Sequence, residues 1–175
     1  MHMPRFVATA TALLLGAAAL FTPARAAAQA AGQPHRVWLG AGAAGGGSTH
    51  DAIDGGVGAL AQLVYQGRGH HAALRGLAIG DVFGTSANGL GEVGLLYGRA
   101  ISTGSGHAAL AAGLAGVGFE TCPDDDDSCF TLGVPLVAEV ALGLEFIGVG
   151  LQLFGNLNSK APYGGVALFA QLGWL

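Results

Sequence analysis

The chain has 175 residues, of which 51% are apolar, 10% are charged and 32 are glycine, with a formal net charge of −4. A soluble domain of this length needs more charge to cover its surface, and so much glycine opposes helix, because each interior Gly costs about 1 kcal/mol relative to Ala. The acidic balance excludes nucleic acid as a partner.

In chain order, the first thirty residues form an export signal. Arg5 gives a short basic start, Phe6 to Phe21 form an apolar run, and Pro23 leads into the small-residue cleavage candidates Ala24-Arg25-Ala26 and Ala28-Gln29-Ala30. That is the layout of a secretory signal peptide, cut after Ala26 or Ala30, whose apolar core is too short for a comfortable membrane span. A retained N-terminal anchor is the alternative. Residues 31–175 then make a single domain. It keeps Arg36, Arg68, Arg75, Arg99 and Lys160 against all eleven acids, a net charge of −6. No later stretch reaches the roughly 20 continuous apolar residues of a membrane helix. An apolar chain of this kind has two homes: a closed membrane barrel, or a soluble β-barrel or sandwich.

Turn signals divide the domain at regular intervals, which is a β pattern. They predict strands over 35–44, 56–66, 71–82, 90–101, 106–119, 130–141, 144–154 and 164–174, each long enough to cross a bilayer when tilted. The connections alternate. Long segments at 45–55, 83–89, 120–129 and 155–163 are separated by short turns at 67–69, 102–105 and 142–143. Four loops on one side and three tight turns on the other fit an antiparallel up-and-down barrel, whereas a Greek-key sandwich does not place every long loop at one end.

Within strands the residues alternate. Val57, Ala59, Ala61, Leu63 and Tyr65 oppose Gly58, Leu60, Gln62, Val64 and Gln66, and Val93, Leu95 and Tyr97 oppose Glu92, Gly94, Leu96 and Gly98. Leu132, Val134, Leu136, Ala138 and Val140 oppose Thr131, Gly133, Pro135, Val137 and Glu139, and Val166, Leu168, Ala170, Leu172 and Trp174 oppose Gly165, Ala167, Phe169, Gln171 and Gly173. One face is apolar and the other mixes glycine with polar groups, as a membrane barrel requires. Two segments fit less well. Pro135 removes a ladder donor and calls for a bulge. The Ala-rich segment from His107 to Phe119 alternates poorly, which leaves a helix open there.

With a signal peptide, eight alternating segments and the terminal strand VALFAQLGW, the chain resembles the small eight-stranded outer-membrane β-barrel proteins of Gram-negative bacteria. The resemblance implies outer-membrane lipid as solvent and the barrel-assembly machinery as a partner. That machinery reads a terminal aromatic in such proteins; here Trp174 is penultimate and Leu175 is last. Members include structural anchors, adhesins and a few lipid-modifying enzymes, so the resemblance alone selects no activity.

Several groups stand out as candidate sites. Cys122 and Cys129 are the only cysteines, and an oxidising compartment bridges them; closing so short a loop is worth about 2.5 kcal/mol. Between them Asp124, Asp125, Asp126 and Asp127 concentrate charge. Clustered carboxylates suit a hard cation such as Ca²⁺, but the spaced ligands and central glycine of a Ca²⁺ loop are missing, and a solvated acidic tip is the plainer reading. Ser48, His50, Asp51 and Asp54 offer a nucleophile, base and orienter, on a glycine-rich loop that is a poor catalytic platform. His70, His71 and His107 fall at the turn end, where metal-free interfacial histidines are expected because neighbours on a strand face opposite sides. Glu92, Glu139, Gln62 and Gln152 fall on the interior face, and Arg75 joins them if its side with Leu77, Ile79 and Asp81 points inward. They form either a conducting, porin-like lumen or a packed polar core, and eight strands leave room for little beyond side chains.

The function expected from these features is structural, adhesive or envelope-interacting, through four external loops, with an extracellular partner the sequence does not specify. No catalysis and no cofactor is expected. The alternatives are an outer-membrane lipid-modifying enzyme and a soluble, lipocalin-like binder of an apolar ligand.

Overall fold

The computed structural model describes residues 35–48, 55–81, 89–103, 105–122, 129–144 and 146–174. The signal peptide expected over residues 1–30 lies outside them. Eight strands follow in order: β1 (Arg36–Ser48), β2 (Gly56–Gly67), β3 (His70–Asp81), β4 (Gly89–Thr103), β5 (Gly106–Phe119), β6 (Phe130–Leu144), β7 (Ile147–Asn158) and β8 (Tyr163–Trp174). Each pairs antiparallel with its sequence neighbours, and β1 also pairs with β8, closing the sheet into a barrel. Closure removes both edges, so no row of backbone donors is left unpaired.

The stagger of the barrel follows from its register. Partners traced once around, Val37, Tyr65, Ala72, Tyr97, Ala112, Leu136, Gly155 and Gly164, return to β1 at Gly47, ten residues beyond Val37. Such a shear on eight strands demands a tilt of roughly 35–45° and leaves an interior just wide enough for side chains.

Alternation decides what faces out. Val93, Leu95, Ile147, Val149, Leu168 and Leu172 are all exposed, Leu95 at 68% and Leu168 at 65%. Cross-strand pairing sets Leu39, Leu63, Leu74, Leu95 and Leu114 side by side as a leucine belt, all of them exposed. Among the described residues, the outward face of the eight strands carries one formal charge, Arg99. A soluble barrel would reverse this arrangement.

Glycine shapes the wall rather than only punctuating it. A Cβ on Gly150 would sit 2.2 Å from Cζ of Phe169, and one on Gly42 would sit 2.1 Å from the carbonyl oxygen of Leu168. Glycine thus makes room inside for the Phe169 ring, which is buried. In the β2–β3 turn, Arg68 (φ 52°) and Gly69 (φ 76°) are both left-handed, the two-residue geometry whose twist matches the flanking strands.

The alanine-rich segment is strand β5, the strand expected over 106–119, and it pairs with β4 over its full length, which closes the helical alternative. The structure corrects four other expectations. Pro135 sits in no bulge: the β5–β6 pairing lapses between Ala112↔Leu136 and Ala115↔Gly133 and resumes in the same register, while Pro135 still pairs with Asn156. A missing donor therefore costs two rungs on one side and no shift of register. Strand β1 continues through Gly45–Ser48, and β6 runs on to Leu144, which moves the expected 142–143 turn outward. Finally β7 reaches Asn158 and β8 begins at Tyr163, so the expected loop 155–163 shrinks to 159–162. Asn158 explains that economy. Its Oδ1 accepts from the backbone N–H of Lys160 (3.1 Å) and Ala161 (2.8 Å), and its Nδ2 donates to the Ala161 carbonyl (3.0 Å), so one side chain replaces the ladder across the turn.

Candidate functional site

The interior is occupied by a polar network running along the barrel axis. Arg75, on β3, points inward and is fully buried. Its Nε donates to Glu92 Oε1 at 3.0 Å, its Nη2 donates to the same oxygen, and its Nη1 reaches Gln152 Oε1 at 3.4 Å. The Arg75 guanidinium also lies 5.7 Å from the centre of the Phe154 ring. The other Glu92 oxygen accepts from Asn156 Nδ2 at 2.8 Å and from the Tyr163 hydroxyl. Five residues from β3, β4, β7 and β8 are thereby joined near the loop end.

Gln152 carries the network onward. Its Nε2 donates to Gln62 Oε1 (3.0 Å) and Glu139 Oε2 (2.9 Å), and Gln62 Nε2 donates to Glu139 Oε2 (2.9 Å). Glu139 Oε1 meets His107 Nε2 at 2.8 Å. The centre of the His107 ring lies 4.7 Å from that of Trp38, and the centre of the His71 ring 6.3 Å from it. The five interior residues expected from sequence, Gln62, Arg75, Glu92, Glu139 and Gln152, are thus placed in one network and are all buried. Asn156 and Tyr163 were missed, and His107 was expected at the interface rather than in this network. Tyr163 and Asn156 were assigned to a loop, although Gln152, Phe154 and Asn156 share one face at a period of two. His107 was hidden by the weak alternation of β5.

The arrangement is a plug. Charge-assisted hydrogen bonds satisfy Arg75, Glu92 and Glu139 in a space filled by Trp38, Phe169, Leu60 and the glutamines, and a satisfied network of this kind stiffens a core. At the turn end Trp38 Nε1, His71 Nδ1, Gln66 Oε1 and Gln171 Oε1 are buried without a protein partner. His71 and His107 therefore stand inside the barrel rather than at the interface, which corrects the expectation for both. Only His70 of the three faces outward. Its Nδ1 is bonded to the Tyr97 hydroxyl, and Arg99 Nη1 lies 3.3 Å from its Nε2. Among the described residues no group of three metal-binding side chains converges.

At the loop end Cys122 and Cys129 are bonded, with Cα atoms 4.6 Å apart. The bridge sits where the ladder ends, beside the Phe119 N–H to Cys129 carbonyl bond of 2.8 Å. It closes the base of the β5–β6 loop and spans no distant strands. Asp124 to Asp127 lie outside the described residues, as do His50, Asp51 and Asp54. Ser48 is described, and its hydroxyl donates to the Pro162 carbonyl at 3.3 Å. A shallow concavity of about 520 Å³ lies on the outer wall, lined by Ile101, Ala108, Val140, Val149, Leu151 and Leu168 among others, and is apolar.

No family model and no curated protein matches the sequence. Solved structures do match the fold. Neisserial surface protein A (NspA) superposes with a TM-score of 0.65 at 12% identity, covering 80% of this chain and 99% of that one. Ail, the attachment invasion locus protein of Yersinia pestis, gives 0.57 at 11% identity, covering 81% and 100%. Ail in complex with the heparin analogue sucrose octasulfate gives 0.58, with the same identity and coverage. At such identities the likeness is one of fold, that of the small eight-stranded outer-membrane barrels.

Proposed function

We propose that this chain is a transmembrane barrel of the Gram-negative outer membrane that acts in adhesion or envelope interaction through its loop end, without catalysis. The supporting observation is the outward strand face, apolar along all eight strands, with Arg99 its one formal charge among the described residues. Only lipid solvates such a face without penalty. Membrane lipid is then the barrel's first partner, and the barrel-assembly machinery the partner that delivers it there. The plugged lumen favours an anchoring role over conduction.

The loop side also suggests the charge of an external partner. By topology it carries Asp51, Asp54, Asp81, Glu120 and Asp124 to Asp127, against Lys160. A sulfated polyanion, the ligand class seen on Ail, meets repulsion at this rim; a cationic surface or peptide is the complementary partner.

Expression in Gram-negative cells tests the proposal. The protein is expected in the membrane fraction, with unheated samples migrating differently from heated ones. Cysteine introduced at Ser159 should label on intact cells, and cysteine introduced at Thr103 should not. A soluble protein that takes up an apolar ligand would instead establish the lipocalin-like alternative, and turnover of envelope lipid would establish the enzyme.

A further inference from the structure

We propose that the outer flank of β2, β3 and β4 at the turn end binds the phosphate headgroup of an anionic phospholipid from the leaflet facing the turns. This rests on the transmembrane reading above. Three rows of residues stack along the flank. The leucine belt of Leu63, Leu74 and Leu95 comes first, then Tyr65 and Tyr97 with Ala72 between them, and then Gly67, His70 and Arg99. Apolar, aromatic and cationic rows in that order match the passage from acyl chain through interface to headgroup.

The chemistry of the last row is selective. His35 Nδ1 is bonded to the Tyr65 hydroxyl, His70 Nδ1 to the Tyr97 hydroxyl, and Arg99 approaches His70 Nε2 at 3.3 Å. The tyrosines hold both imidazoles against the wall, and Arg99 presents its guanidinium outward beside one of them; Arg68 is exposed at the tip of the β2–β3 turn. The described carboxylates are elsewhere: Glu92 and Glu139 are inside the lumen, and Asp81 and Glu120 are at the loop end. The flank therefore offers the Arg99 guanidinium, braced by the His70 ring, at headgroup depth with no described acid to neutralise it. A planar guanidinium suits a phosphate, which it can meet through two parallel bonds. The opposite flank, β5 to β8, has no charged outward residue among those described, so the preference is local and not a ring around the barrel.

The barrel is folded in detergent micelles with equimolar dioleoylphosphatidylglycerol and dioleoylphosphatidylcholine, and the lipid retained on it is read by native mass spectrometry. Near a membrane surface each Arg is worth about fivefold in preference for anionic lipid. The wild-type barrel should retain the glycerol lipid severalfold over the choline lipid. Arg99→Gln should lower that ratio about fivefold, Arg99→Lys should restore most of it, and Lys160→Gln at the loop end should leave it unchanged. A folded wild-type barrel with a ratio near one overturns the site alone, as does an Arg99→Gln protein with the wild-type ratio. A wild-type chain that shows no heat-modifiable folded form in lipid overturns the transmembrane reading and the site with it. Should Arg99→Gln fail to fold, Arg68→Gln at the exposed turn tip carries the comparison, and an unchanged ratio there overturns the proposal.

Discussion

Replacing Arg75 with Met tests whether the lumen is held together by its ion pair. In the folded barrel the side chains of Arg75 and Glu92 are both fully shielded from solvent. Arg75→Met removes two bonds to Glu92 and one to Gln152, and leaves Glu92 charged with only Asn156 and Tyr163 as donors. Stranding a buried charge costs about 3–5 kcal/mol. In the double variant Arg75→Met, Glu92→Gln the charge is gone, while an amide oxygen still accepts from Asn156 and Tyr163. That variant should lose clearly less than Arg75→Met alone, with a coupling of about 2 kcal/mol or more between the two sites. Urea unfolding in micelles gives these values, followed by the fluorescence of Trp38, which is buried in the same lumen, and by gel mobility. An Arg75→Met barrel within about 1 kcal/mol of wild type would refute the reasoning, as would a double variant as unstable as the two single losses added.

Other perturbations reach the wall and the loop. Leu168→Arg should cost roughly 2–4 kcal/mol more than Leu168→Ala in a bilayer, and equal unfolding midpoints for the two would mean Leu168 does not face lipid. A Cβ on Gly133 would sit 2.0 Å from Oδ1 of Asn156; Gly133→Ala should therefore dislodge the bond to Glu92 and cost about 1–3 kcal/mol, read as a lower thermal midpoint of the gel shift. The Cys122→Ser, Cys129→Ser variant should fold and insert while its β5–β6 loop becomes more sensitive to protease, because the bridge restrains that loop by only about 2–3 kcal/mol. Failure to insert would show that the bridge serves the barrel.

The strands were legible because the two faces of a membrane barrel differ in kind. Val93, Leu95 and Tyr97 against Glu92, Gly94 and Leu96 reads the same in sequence and structure. Strand ends were not, because glycine carries two meanings. Gly45, Gly46 and Gly47 look like loop, yet they pair with Val166, Gly165 and Gly164 in β8. A Cβ on Gly46 would lie 2.6 Å from the Gly164 carbonyl oxygen, so close backbone approach, not turning, is what that position requires. Pro135 misled in the opposite direction. It was read as a break in strand geometry, but a missing N–H is tolerated when the neighbouring rungs hold the register.

Site residues were legible one at a time, by facing, while their partners were not. Tyr163 lies 71 positions from Glu92, and Gln62 lies 90 from Gln152, distances over which no local pattern operates. A closed barrel nevertheless supplies a rule that an open sheet lacks. Every inward side chain shares one narrow lumen, so an inward charge must find its counterpart among the other inward residues or remain uncompensated. The inward faces of β4 and β6 offer Glu92 and Glu139, and the inward face of β3 offers Arg75. Depth then separates the two acids. Glu92 sits three residues into β4 from the loop end, near the level of Asn156 and Tyr163, whereas Glu139 lies toward the turn end of β6, beside His107. Arg75 pairs in register with Gly94, two residues along from Glu92 on the same face, and so takes the nearer acid, leaving Glu139 to the histidine. The facing of Arg75 and the register of β3 on β4, which alternation alone left open, are what the structure adds, and together they account for the observed pairing.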